Sequence, residues 1–114
     1  MHEMSLMENL LSTAENALSE YQYNHVNSIT VAAGPLANIM PDAFSFAFEA
    51  LTAGGKMDGA RLIIEKLPIK AFCDNCGNTY EGECIPGKCS ICGASMRITG
   101  GSEVFLTGID FEEA

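Results

Sequence analysis

Leu6, Met7, Leu10, Leu11, Ala14, Leu18 and Tyr21 recur at three- and four-residue steps, a spacing that predicts an amphipathic helix with one apolar face. Ser5 followed by Glu8 has the form of a capping box, so the helix is expected to begin there and to leave residues 1–4 outside it as a short arm. Residues 26–33 are rich in β-branched types and stop at Gly34-Pro35, which predicts a strand and a turn. Pro41 suits the first turn of a second helix. Phe44, Ala47, Phe48 and Leu51 supply its buried face, and Gly54-Gly55 ends it. Residues 60–67 and the alternating stretch 102–111 give two more strands. Met7, Met40 and the phenylalanines are expected to be packing residues. The order predicts an α/β (α+β) fold, a three-stranded sheet with two helices on one face.

Charge divides this pattern. Residues 1–68 hold eight acids and three bases, 69–100 hold three of each, and 101–114 hold four acids and no base. All five cysteines lie in the balanced middle block, which Pro68 opens and Gly100-Gly101 closes. The expectation is a cysteine module at 69–100 inserted into a discontinuous domain made of 1–68 and 101–114. The net charge of −9 and pI of about 4.4 argue against a nucleic-acid partner. No apolar run reaches the ~18 residues of a membrane span, and the N-terminus lacks the features of a signal peptide. A cytoplasmic location is expected, where thiols stay reduced and favour metal over disulfides.

Cys73-Asp-Asn-Cys76-Gly and Cys89-Ser-Ile-Cys92-Gly are matched C-x2-C-G units with twelve residues between them. Each is a turn that aims two sulfurs at one point, and two such turns complete a tetrahedral zinc site of the ribbon type. The block is poor in large apolar residues, so bound metal must supply its stability. Four protein ligands leave no open position for catalysis. Cys84, between the pairs, reads as a spare thiol or as a ligand alternative to Cys89. Iron in a rubredoxin-like site also suits four thiolates, but only Tyr80 lies between the pairs to pack around it. At the other end of the chain, the Met1 amine, the next peptide nitrogen and the His2 imidazole can close fused chelate rings, a nitrogen-rich set suited to Ni²⁺ or Cu²⁺. Glu3 adds an amide nitrogen and a carboxylate. His25 has nothing beside it in sequence and reads as a surface residue.

These features together resemble the HypA/HybF family of hydrogenase nickel-incorporation proteins. The resemblance rests on Met1-His2-Glu3-Met4-Ser5, on Phe44-Ser-Phe-Ala-Phe48-Glu49-Ala, on the two C-x2-C units and on the short strand-like tail. It implies a nickel metallochaperone, not an enzyme, that delivers Ni²⁺ to the large subunit of [NiFe]-hydrogenase with a nickel-handling GTPase of the HypB type. Some members also serve urease. Carried over by position, the nickel ligands are the Met1 amine, His2 and Glu3, and the zinc ligands are Cys73, Cys76, Cys89 and Cys92. Two departures stand out. Some members carry a ligand aspartate at the entrance of the second helix, where this chain has Met40 with Asp42 nearby. Some flank their cysteine pairs with histidine, where this chain has glycine. A zinc-ribbon adaptor and a rubredoxin-like electron carrier are the alternative readings, and the sequence leaves open whether the chain is a monomer or a homodimer.

Overall fold

The computed structural model describes residues 2–114 as two compact units. The first comprises residues 1–32, 39–65 and 105–114; the second comprises 33–38 and 66–104, and so holds the 69–100 block with chain on either side of it. Met1, expected as a nickel ligand, lies outside the described residues.

The first unit is built from α1 (His2–Leu18), β1 (Tyr23–Ala33), α2 (Pro41–Thr52), β2 (Arg61–Lys66) and β6 (Val104–Glu113). Its sheet runs β2-β1-β6. Side-chain contacts from His25 to Glu112 and from Asn27 to Asp110, with the Thr107 hydroxyl donating to the Thr30 carbonyl, step in opposite directions along β1 and β6, which makes that pair antiparallel. Met7, Leu10, Leu11, Ala14 and Leu18 of α1 are buried with Phe44, Ala47 and Phe48 of α2 and with Val26, Ile29, Val31 and Ala32 of β1. The predicted helix, strand, helix, strand order is therefore present, with two helices packed on each other.

Several details differ from expectation, and Met40, Phe46 and Phe105, expected to pack in the core, are exposed. The helix α1 begins at His2, so Ser5 lies inside it and residues 2–4 form its first turn instead of a free arm. The apolar seam continues backward through half-buried Met4 to Met7 and Leu11, which extends the favourable face one turn beyond the capping-box signal. Tyr21 falls past the helix end and packs edge-on against Phe111, with ring centroids 5.4 Å apart. Leu51 is exposed, and the α2 face closes instead on Thr52, whose buried hydroxyl donates to the Phe48 carbonyl at 2.7 Å. The strands β1 and β6 start two to three residues away from the predicted positions, a scale on which element ends are set by pairing and not by local sequence.

The second unit has a sheet of its own that the sequence pattern does not announce: β3 (Ile69–Phe72), β4 (Thr79–Gly82) and β5 (Arg97–Gly100) in the order β4-β3-β5. Both pairings are antiparallel, with Phe72 opposite Thr79 on one side and Arg97 on the other. Ile69 and Ala71 are buried and Lys70 is exposed, the alternation of a strand with one covered face. Residues 33–38 stitch onto this sheet's ends through Leu67 N–H to the Ala33 carbonyl (2.9 Å), Gly34 N–H to Glu103 (2.9 Å) and Leu36 N–H to Gly101 (2.8 Å). Gly34 must be glycine, because a Cβ there would collide with the Gly101 backbone.

Candidate functional site

The second unit places four sulfurs together. Cys73 leaves the end of β3 and Cys76 follows in the same turn, while Cys89 and Cys92 come from the second turn. The Sγ atoms of Cys73, Cys76, Cys89 and Cys92 all lie within 4.8 Å of one another. Cys73 and Cys92 are 3.5 Å apart, and Cys76 and Cys89 3.6 Å. A tetrahedron with zinc–sulfur bonds of ~2.3 Å has sulfur–sulfur edges of roughly 3.8 Å, so these residues fit the ion and form a four-cysteine metal site consistent with a zinc ribbon. Cys84 is exposed and outside the group; its carbonyl accepts the Tyr80 hydroxyl at 2.8 Å.

The two turns share one hydrogen-bond scheme. Cys73 N–H donates to the Asn78 carbonyl (2.8 Å) and Gly77 N–H to the Cys73 carbonyl (2.8 Å). In the second turn Cys89 N–H donates to Ala94 (2.7 Å) and Gly93 N–H to Cys89 (2.9 Å). Gly77 and Gly93 sit at φ of 81° and 79°, a left-handed conformation that glycine adopts without strain. This is why glycine follows each pair.

Main-chain donors then polarise the thiols. The Cys89 thiol is pulled down to about 6 by the backbone N–H groups of Cys92 and Ile91, helped by the Asn78 side chain and Cys76 against the opposing effect of burial. The Cys92 thiol is lowered by the Asn75 side chain and the Ala94 N–H, with Cys73 and Cys76 adding to them. Cys76 moves the other way, to about 12: the Asn78 N–H works against the rise, but burial and the neighbouring Cys89, Cys73 and Cys92 thiols outweigh it. Four sulfurs this close cannot all ionise unaided, and a bound dication removes that conflict. Asp74 joins the first turn to β5, its carboxylate accepting both Arg97 Nε and an Arg97 terminal nitrogen at 3.0 Å. Sequence reasoning missed Asn75 and Asn78, which read locally as turn residues.

The first unit places His2, exposed, and Glu3, half-buried, in the opening turn of α1. The Met40 N–H donates to the Glu3 carboxylate at 3.4 Å. Met40 is the N-cap of α2 and its own side chain caps nothing, so a carboxylate from α1 serves the positive end of α2. The residue that meets Glu3 is thus Met40, through its main chain, while Asp42 stands exposed in the first turn of α2. His25 is on the surface, paired at 2.9 Å with Glu112. Among the described residues no helix is long and apolar enough to cross a membrane.

Known proteins resemble this chain over its whole length. Residues 1–111 match the family described as "Hydrogenase/urease nickel incorporation, metallochaperone, hypA". The hydrogenase maturation factor HypA of Geobacter metallireducens is 33% identical over 113 residues, covering 98% of this chain and all of the relative. The HypA of Desulfitobacterium hafniense is 35% identical over 117 residues, with 99% and 100% covered. In fold, the solution structure of the nickel metallochaperone HypA from Helicobacter pylori superposes with a TM-score of 0.71 at 21% identity, with both chains fully covered. A second HypA solution structure gives 0.73 at 23% identity over 97% of this chain and 96% of the other.

Proposed function

The chain belongs to the HypA family of hydrogenase/urease nickel-incorporation metallochaperones, maturation factors and not catalysts, and from that premise we propose that it carries Ni²⁺ at the start of α1. The ligands are the Met1 amine, His2 and Glu3. The observation that carries this reading is the placement of His2 and Glu3 in the first turn of α1. The first four N–H groups of a helix have no intrahelical acceptor, so the peptide nitrogens of these residues stay free for a metal even though the segment is helical. The His2 imidazole is exposed and the Glu3 carboxylate is held by a single long hydrogen bond, so the site opens readily and cargo can leave. Protons compete for the amine and the imidazole, which makes loading pH-dependent.

The four cysteines take Zn²⁺ as a resident structural ion, which when bound would fix both turns and offer no open coordination position. The ribbon then presents Ile85 and Ile91, 61% and 73% exposed, as a contact surface for partners. Those partners are a nickel-handling GTPase of the HypB type and the large subunit of [NiFe]-hydrogenase, the destination of the nickel. The test is a nickel titration of the zinc-loaded chain beside its His2→Ala variant. Loss of nickel binding with zinc and fold retained supports the reading. Equal nickel binding by both removes His2 from the site.

A further inference from the structure

The two cysteine turns match in main-chain hydrogen bonding, and they differ at one equivalent position. Two residues after the second cysteine, the first turn has Asn78 and the second has Ala94. Both carbonyls accept the N–H of the turn's first cysteine, and both N–H groups act to lower the thiol of its second cysteine. Only Asn78 has a side chain that can do more. Its Nδ2 donates to Cys89 Sγ at 3.6 Å, across to the other turn. One residue therefore hydrogen-bonds two of the four ligand cysteines, Cys73 through its carbonyl and Cys89 through its side chain, while its N–H acts to lower the Cys76 thiol.

The chemistry of this contact is directional. Only the NH₂ end of a carboxamide is a donor, and a thiolate is an acceptor. Four thiolates around one Zn²⁺ leave two formal negative charges on sulfur, and N–H donors spread that charge. Cys89 collects the Asn78 amide in addition to the Ile91 N–H at 3.4 Å. A donor on a metal-bound sulfur lowers its reactivity toward electrophiles and fixes its direction. Asn78 is half-buried, so the bond is partly shielded from water.

We propose that Asn78 is a positioning residue of the four-cysteine site: its side-chain amide ties the sulfur of Cys89 to the first turn, and so sets how tightly the metal is held and how slowly Cys89 is attacked. The proposal rests on the reading that these cysteines bind zinc. The Asn75 side chain acts in the same direction on Cys92, lowering that thiol from the first turn.

The test uses the whole zinc-loaded chain and two measurements, zinc affinity by competition with a chromophoric chelator and the rate at which each cysteine is alkylated by iodoacetamide. Asn78→Asp keeps size and turn chemistry but replaces the donor with a second acceptor. It is expected to retain one zinc per chain while losing ~10- to 100-fold in affinity, the usual effect of removing a partner behind a metal ligand. Alkylation should quicken at Cys89 first. Asn75→Ala is the second variant and should quicken Cys92 instead; this site-by-site shift is one that general loosening of the ribbon would not produce. Wild-type affinity and alkylation order in Asn78→Asp overturn the proposal, as does equal acceleration of all four cysteines in both variants. If the wild-type chain binds no zinc, the reading of the cysteines fails as well, and zinc bound equally by wild type and variant overturns the brace alone.

Discussion

The opening turn of α1 and the cysteine ribbon both gather metal-binding atoms, and they are prepared for metal to opposite degrees. In the ribbon, two turns with one hydrogen-bond scheme, a left-handed glycine in each and N–H donors on the sulfurs bring four Sγ atoms within 4.8 Å of one another. At the start of α1, His2 is exposed and Glu3 has one hydrogen bond of 3.4 Å, to the Met40 N–H. Donors held in place before the ion arrives lose little entropy on binding and release the ion slowly; donors that must still be ordered bind less firmly and let go. On the proposed function, that difference in local order separates a resident ion from a cargo.

The largest expected effect follows from removing the resident ion. Structural zinc supplies about 10–16 kcal/mol in small metal-stabilised peptides, and the second unit has few large buried residues to set against that loss. Stripping zinc with a strong chelator should abolish amide-exchange protection in β3, β4 and β5 while α1 and α2 keep their helical circular dichroism. Retained protection in the ribbon would show that its sheet stands without metal. Next in size is Phe44→Ala. Phe44 is fully buried, and emptying its site should cost about 3–5 kcal/mol, read as a fall in the urea midpoint of the first unit with zinc content unchanged.

His2→Ala comes third: nickel affinity should fall by more than ~100-fold, beyond what loss of a supporting neighbour costs. Calorimetry of the zinc-loaded chain checks it. The smallest effect is on acid stability. Arg97 holds Asp74 below its usual 3.8, and the Gly101 N–H holds Glu103 below its usual 4.5. A lowered value means the folded chain resists protonation more than the unfolded one. Both contributions are therefore present in full above about pH 4.5 and are lost as pH falls through the lowered values. Both groups lie in the second unit, whose thiolates also yield their metal to protons. Stepwise acidification followed by amide exchange should melt the second unit before the first, and Arg97→Ala should bring that melting to a slightly higher pH.

How much of this was legible in the sequence depended on range. The apolar faces of α1 and α2 are written in three- and four-residue steps, and most of each is found buried as read. The matched C-x2-C-G units announced the four sulfurs that the fold brings together. The start of α1 was misread because Ser5 and Glu8 carry a strong local signal, whereas the extra turn depends on Met4 joining the apolar seam and on Glu3 meeting Met40, 37 residues away. The ribbon's sheet was invisible because its strands are four residues long, too short to show a period, and are paired across the cysteine turns. Asn78 looks like any turn asparagine until the second pair folds against it.

The claim on which the rest stands is that nickel is taken by the free amine of Met1 together with His2 and Glu3. It is tested most directly by titrating Ni²⁺ into zinc-loaded chain with an unmodified N-terminus and into the same chain with that amine acetylated. The account predicts one nickel per chain in the first and none in the second, with zinc equal in both; stoichiometric nickel binding by the acetylated chain would contradict it.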